Sequence, residues 1–216
     1  MDISDIEAAL RRPLPGKEAQ FLMAPGYRPD YTAEEVMKFN PRIGGVLLLI
    51  NPAPEGYTVV FTLRKEYNGT HSGQMSFPGG KREEGDMDIT YTALRETEEE
   101  IGVKRETVNV IGALSELYIP PSNFLVYPTV GVLKGPATFA PQEYEVAEIV
   151  EIPLDFFMKE ESRSTTRIKV MGKTEVEVPA YLYDKYVIWG ATAIMMSEFV
   201  YVINNNDIAH KWPGSR

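Results

Sequence analysis

Residues 80–103 read GKREEGDMDITYTALRETEEEIGV, and the rest of the chain is read outward from this stretch. Ile89, Ala93, Thr97 and Ile101 recur every four residues and Leu94 widens the stripe, so the spacing predicts an amphipathic helix over 88–101. Gly102 stands where the C-terminal cap of such a helix belongs. Four carboxylates, Glu96, Glu98, Glu99 and Glu100, crowd that end. The helix dipole disfavours anions there by about 0.3–1 kcal/mol per exposed charge, and Glu96 with Glu100 adds a like-charge i,i+4 pair. A helix with a purely structural duty would end more naturally in Lys or Arg. An acidic run is also commonly just a solvated face, so the stretch alone leaves two readings open. In the first, Glu96, Glu99 and Glu100 share one face at i, i+3 and i+4 and offer hard oxygen ligands suited to Mg²⁺ or Mn²⁺. Glu98 points elsewhere, to solvent.

The approach to the helix fits the first reading. Pro78-Gly79-Gly80 ends a short strand over 75–77 and permits unusual φ and close backbone approach. A carbonyl or amide there, Gly80 included, could reach a metal or a phosphate. Residues 81–88 then supply basic and acidic groups. Arg95, next to the cluster, is placed to hold a glutamate by charge-assisted hydrogen bonds.

Further out, 45–50 is a continuous apolar run and 57–63 is rich in Val, Phe and Thr; both read as strands, joined by a turn over 52–56. Further strands are expected at 108–117, 124–133, 147–152, 167–170 and 176–183. A last helix over 191–203 places Ala191, Met195, Phe199 and Val202 on one face, and Asn204-Asn205-Asn206 ends it. Asn68-Gly69-Thr70 reads as a turn. Tyr181 and Trp189 read as core or sheet residues rather than a stacking platform, and Met195-Met196 as helix core. Ser4-x-x-Glu7 and Thr32-x-x-Glu35 look like capping boxes, with Pro13, Pro15, Pro25 and Pro29 breaking the chain between them. The expected organisation is a helical and irregular arm over 1–42 packed on a domain over 43–210. The element order predicts an α/β fold with a mixed sheet flanked by helices, not a regular βαβ alternation.

The 216 residues suffice for one domain with a sizeable core. Hydrophobic residues at 44% and charged residues at 25% exclude disorder and coiled coil as whole-chain descriptions. A net charge of −9 argues against a nucleic-acid partner, and a polyanionic substrate would need a local divalent cation. The absence of cysteine excludes a disulfide scaffold and a thiol nucleophile, and two histidines, His71 and His210, cannot build a multi-histidine zinc site. The acidic N-terminus lacks the order of a signal peptide. The apolar stretches at 46–50 and 187–196 are too short or interrupted to span a bilayer. A cytoplasmic protein without a membrane partner is expected.

Residues 80–103 resemble the Nudix box: Gly80, five residues, an acid at Asp86, then Arg95-Glu96-x-x-Glu99-Glu100-x-Gly102-Val103. Asp86 replaces the usual glutamate, one extra residue separates it from Arg95, and Thr97 holds an ordinarily apolar position. With Thr62-Leu63-Arg64, His71-Ser72-Gly73-Gln74 and Phe77-Pro78-Gly79-Gly80 upstream, the chain resembles the coenzyme A pyrophosphatase branch of the Nudix hydrolases. Tyr127-Pro128-Thr129-Val130-Gly131, Glu145-Val146, Ile152-Pro153-Leu154 and Ile188-Trp189-Gly190-x-Thr192 carry the likeness on, over roughly 45–199. Asn68-Gly69 stands where that branch usually has Leu-Arg.

The resemblance implies a Nudix-type α/β/α sandwich with a mixed β-sheet, and Mg²⁺- or Mn²⁺-dependent hydrolysis of a nucleotide diphosphate. Coenzyme A or acyl-CoA would be cut to 3′,5′-ADP and 4′-phosphopantetheine or its acyl form. Metal would lie on Glu96, Glu99, Glu100 and Gly80. Glu99 and Glu145 are alternative bases, and Arg95 completes the catalytic set by holding a glutamate. Arg64, His71, Gln74, Lys81 and Arg82 are the substrate-side candidates, His71 equally as a brace of its loop. Because of Asn68-Gly69, a Nudix enzyme for ADP-ribose, nucleotide sugars or modified nucleoside triphosphates stays open. So does a non-catalytic nucleotide-sensing module on the same fold. A homodimer would be common for such a protein.

Overall fold

The computed structural model of the protein describes residues 2–66, 71–170 and 174–204. The expected turn at Asn68-Gly69-Thr70, and His210, lie outside them. In chain order the elements are α1 (Ile3–Leu10), α2 (Lys17–Gln20), α3 (Ala33–Lys38), β1 (Arg42–Ala53), β2 (Gly56–Arg64), β3 (Met75–Ser76), β4 (Gly79–Lys81), α4 (Ile89–Ile101), β5 (Val108–Ala113), β6 (Leu117–Ile119), β7 (Phe124–Leu133), β8 (Val146–Pro153), α5 (Leu154–Met158), β9 (Arg163–Val170), β10 (Thr174–Tyr183), β11 (Tyr186–Trp189) and α6 (Gly190–Ile203). They fall into two compact units, Asp30–Leu154 and the paired segments Met1–Pro29 and Asp155–Arg216.

The Asp30–Leu154 unit is built on an eight-stranded sheet of order β3-β2-β1-β7-β5, with β4 paired to β1, β6 to β7 and β8 to β2. β1 and β7 run parallel and the remaining pairs antiparallel, so the sheet is mixed as the element order predicts. Leu47 to Ile50 of β1 are fully buried, as a strand covered on both faces requires. β1 forks: Gly44, Gly45 and Val46 pair with β4, and Leu49 to Ala53 pair with β2. α4 lies hard against the β4 half. A Cβ on Gly45 would come within 2.6 Å of the Ile89 carbonyl oxygen, so only glycine permits that approach. Ala93 and Ile101 of α4 then pack with Leu47, Leu49, Val60, Val103, Val108 and Leu133.

α4 occupies the predicted span. Asp88 caps it by accepting from the Tyr91 amide at 2.7 Å, and Gly102 ends it at φ 75°, donating to the Glu98 carbonyl at 3.0 Å. Two strand expectations change. Pro78-Gly79-Gly80 does not simply stop the chain, because Gly79 and Gly80 enter β4 and find backbone partners on β1. The single strand expected over 108–117 breaks into β5 and β6, both paired to β7.

In the other unit, β9, β10 and β11 form an antiparallel sheet. Tyr181 of β10 is fully buried and edge-on to Phe157 at 5.2 Å. α6 is buried on nearly every side, Ile194, Met196, Ser197, Glu198 and Val200 included, and not on one stripe only. Glu198 accepts from the Gly16 amide at 3.2 Å and from Gln20 Nε2 at 2.9 Å, and Ser197 donates to the Ala19 carbonyl at 2.8 Å. The α1 capping box is formed by Asp2 and Asp5 rather than Ser4 and Glu7, two residues earlier than expected; that of α3 is Thr32 with Glu35. No helix among the described residues is long and apolar enough to cross a membrane.

Candidate functional site

The acidic end of α4, strand β4 and the segment before β8 meet in one place. β4 comes first, because its backbone is tied to β1 and therefore fixed. Gly79 donates its amide to Glu100 Oε2 at 3.1 Å. A Cβ on Gly80 would sit 2.4 Å from the Glu96 carboxylate, so the bare Gly80 backbone is what lets Glu96 stand there. By strand alternation Lys81 projects to the opposite face from that contact; its contribution to the site is its carbonyl, which accepts from Arg95 Nη2 at 3.1 Å.

Arg95 is the organiser of the cluster. It donates to Asp86 twice, Nε to Oδ1 at 2.8 Å and Nη2 to Oδ2 at 3.0 Å. Its Nη1 lies 3.0 Å from Glu96 Oε1 and 3.1 Å from Glu99 Oε2. Asp86, the acid left without a role by the sequence, is thereby the anchor of that arginine. It is buried, and also accepts from the Glu83 amide at 2.9 Å and the Thr92 hydroxyl at 2.8 Å. The Arg95 guanidinium, with those two donors, holds the Asp86 carboxyl well below the usual carboxylate range against the opposing effect of burial, and Asp86 raises Arg95 in turn. The charge-assisted fork is worth more than an exposed pair because both partners are largely out of water.

Glu100 is the buried member, 5% exposed. Burial pushes its carboxyl up to about 7, opposed by the Gly79 amide and by Arg64; the charges of Glu145 and Glu96 add to the rise. Glu96 is also raised, first by burial and then, against the pull of Arg95, by Glu99 and Glu145. Glu145 thus acts on both the buried Glu100 and the half-buried Glu96 from a separate loop. That loop is strapped to α4: Gln142 donates its amide to the Glu100 carbonyl at 2.8 Å, its side-chain oxygen accepts from the Glu145 amide at 3.1 Å, and the Glu145 carbonyl accepts from Lys65 at 2.9 Å. Gln142 and Thr92 were not singled out from the sequence. Both act through partners distant in the chain or on an unremarkable helix turn.

Arg64 Nη1 lies 3.9 Å from Glu100 Oε1. His71, at φ 70°, shares a 3.0 Å hydrogen bond with Gln74, and the Gln74 carbonyl accepts from the Arg64 amide at 3.0 Å, so His71 and Gln74 brace the loop beside Arg64. Arg82 is exposed and donates to the Asp86 carbonyl at 3.3 Å. Glu99 is 58% exposed at its side chain and sits at the rim. Glu98 does not face open solvent: it accepts from Lys104 Nζ at 2.7 Å and Arg105 Nε at 2.8 Å, which lower its carboxyl.

The donor set suits a hard divalent cation in chemistry and charge. Glu96 and Glu100 are both raised by burial, Glu96 adds to the rise at Glu100, and the cation nearest Glu100, Arg64, stands 3.9 Å away. The set is not a closed cage, since among the described residues no three His, Cys, Asp or Glu side chains converge closely enough to hold an ion.

Residues 41–165 match the NUDIX domain. Over 166 residues, 73% of this chain and 54% of the relative, the sequence is 35% identical to "Nudix hydrolase 22, chloroplastic" of Arabidopsis thaliana. Over 139 residues, 63% of this chain and 59% of the relative, it is 33% identical to "Mitochondrial coenzyme A diphosphatase NUDT8" of Homo sapiens. The chain therefore spans just over half the length of these two relatives. Among solved structures, a MutT/nudix family protein from Enterococcus faecalis is similar in fold, with a TM-score of 0.52 at 15% identity over 94% of this chain and 75% of that one.

Proposed function

This chain belongs to the Nudix family, and we propose that it is a divalent-metal-dependent diphosphatase acting on a nucleotide derivative, with coenzyme A or acyl-CoA as substrate. The observation that carries the reading is the placement of two carboxylates on the β4 backbone, Glu96 against Gly80 and the buried Glu100 on the Gly79 amide, with Glu100 repelled by Glu145 and Glu96. A module that only binds nucleotides gains nothing from that repulsion. Nudix hydrolases generally use divalent metals and act on small nucleotide substrates.

Glu96, Glu100 and the Gly80 carbonyl would hold the metal, with Glu99 at its rim. When bound, the metal neutralises the diphosphate and polarises the phosphorus under attack. Glu145 takes the proton of the attacking water. Its loop is fixed at three backbone positions, whereas Glu99 is exposed and engaged by Arg95. The water oxygen forms a new bond to one phosphorus, the bond from that phosphorus to the bridging oxygen breaks, and the other phosphate leaves with the bonding electron pair on that oxygen. Arg95 is a positioning residue: Asp86 fixes it, and it fixes Glu96 and Glu99. Arg64, Arg82, His71 and Gln74 line the approach of the substrate.

Coenzyme A is favoured by the His71-to-Gln74 and Phe77-to-Gly80 segments and by the named human relative. The Asn68-Gly69 departure favours the second reading, a diphosphatase for ADP-ribose, nucleotide sugars or modified nucleoside triphosphates. A product-release panel across these substrates with Mg²⁺ and with Mn²⁺ decides between them. Fastest turnover of coenzyme A is expected; no turnover of any diphosphate with either cation would sink the enzyme reading.

A further inference from the structure

Arg64 is the last residue of β2, where the ladder to β8 slips: Leu63 pairs with Glu148, but Arg64 pairs with Val146. One extra β8 residue, Ala147, is accommodated there. Such bulges re-aim a side chain next to a site. The backbone on either side is clamped, Arg64 by the Gln74 carbonyl and Lys65 by the Glu145 carbonyl. The main chain at Arg64 is thereby fixed, and its side chain, 29% exposed, extends Nη1 to 3.9 Å from Glu100. That separation is an ion pair without a hydrogen bond. Nε is buried and has no hydrogen-bond partner among the described residues. An unmade bond at a buried donor is costly, and a guanidinium presents Nε and the adjacent Nη as a planar fork matched to two oxygens of a phosphate. The other guanidinium of the cluster, Arg95, is already consumed by Asp86, Glu96, Glu99 and the Lys81 carbonyl.

We infer that Arg64 is the diphosphate clamp of this site: one nitrogen steadies Glu100, and the buried, unpartnered Nε turns to donate to a non-bridging phosphate oxygen of the substrate. This rests on the diphosphatase reading and deepens it. The charge is shared in one direction only. Arg64 repels a cation placed on Glu100, so it serves the anionic ligand and not the metal.

The test separates those two duties in Arg64→Ala and Arg64→Lys, each first confirmed folded by its melting curve. Mn²⁺ alone and then methylenediphosphonate, a base-free diphosphate analogue, with saturating Mn²⁺ are titrated calorimetrically. Both variants are expected to bind the analogue about 10- to 100-fold more weakly, because lysine keeps the charge and loses the fork. Mn²⁺ binding is expected to be unchanged or tighter. In turnover of coenzyme A, KM should rise by a similar factor with a smaller change in kcat. Unchanged analogue affinity in Arg64→Ala, full rescue by Arg64→Lys, weakened Mn²⁺ binding, or a wild type that does not bind the analogue would each overturn the clamp. Failure of the diphosphatase reading is seen separately, as analogue binding without turnover of any substrate.

Discussion

Two buried glutamates sit on two helices of this protein and mean opposite things. Glu198, on α6, is wholly enclosed, and its two oxygens are met by the Gly16 amide and the Gln20 side chain. Glu100, on α4, is nearly as buried, yet it has one amide, an arginine beyond hydrogen-bonding distance, and two other carboxylates as neighbours. Burial of a carboxylate is tolerable when donors replace water. At Glu198 they do, and the residue ties chain segments together. At Glu100 they do not, and that deficit is what the proposed cation would fill.

The sharpest way to break this contrast is to neutralise each acid with its isostere. Glu100→Gln removes the charge while leaving an oxygen for the Gly79 amide. Turnover should fall by about 100-fold or more with the melting temperature held or raised at neutral pH. Glu198→Gln turns an acceptor into a donor opposite the Gly16 or Gln20 donor. It should cost about 1–3 kcal/mol and lower the melting temperature by several degrees, with turnover per folded molecule retained. Equal stability losses in the two variants would erase the distinction.

The same contrast has a pH signature. Burial raises Glu100 from 4.5 to about 7 in the metal-free protein, so the folded state holds this proton more tightly than the unfolded chain. The stabilisation is complete below about 4.5 and is lost as pH rises through 7. Between pH 5 and 8 the metal-free protein should lose about 2–3 kcal/mol through this group, with Glu96 acting in the same direction. Melting curves in chelator should show that slope. Mn²⁺ should flatten it at pH 8, and Glu100→Gln should remove most of it. A slope that survives in Glu100→Gln would place its origin elsewhere.

How much of this could be read in the sequence follows from the range of each interaction. The α4 stripe, its Gly102 cap and the apolar β1 run are local patterns, and each is found where the spacing puts it. β4 was hidden because Gly79-Gly80 has no strand propensity, and only its partner on β1 makes it a strand. Asp86 was ambiguous because its meaning is its bond to Arg95, nine residues away and across an altered spacing. Glu98 was misjudged because Lys104 and Arg105 fold back beyond the helix end. The full enclosure of α6 was invisible because Ser197 and Glu198 look like an exposed face until their partners at Ala19, Gly16 and Gln20 are known.

Two glycines extend the contrast from charge to space. A Cβ at Gly45 meets backbone, the Ile89 carbonyl at 2.6 Å and the Ala93 amide at 3.0 Å. Neither can yield without lifting α4 off the sheet, so Gly45→Ala should cost about 1–3 kcal/mol. A Cβ at Gly80 meets only the end of the Glu96 side chain, which can swing away. Gly80→Ala should therefore melt within a few degrees of wild type while losing most turnover and Mn²⁺ affinity. Calorimetric melting and metal titration of the pair would reverse the assignment if Gly80→Ala proved the less stable protein.

The smallest effect is expected at Glu98, and it tests whether acidity on α4 matters in itself or only on one face. Glu98 belongs to the same run as Glu96, Glu99 and Glu100 but is directed to Lys104 and Arg105. Those partners are at the surface, where such pairs contribute little. Glu98→Gln should shift the melting temperature by no more than about 2 °C, and leave turnover and Mn²⁺ affinity at wild-type values. If turnover instead fell as it does in Glu100→Gln, the site would be responding to the summed charge of the helix end. The distinction between a desolvated face that waits for a cation and a solvated face that has its own counter-ions would then be lost.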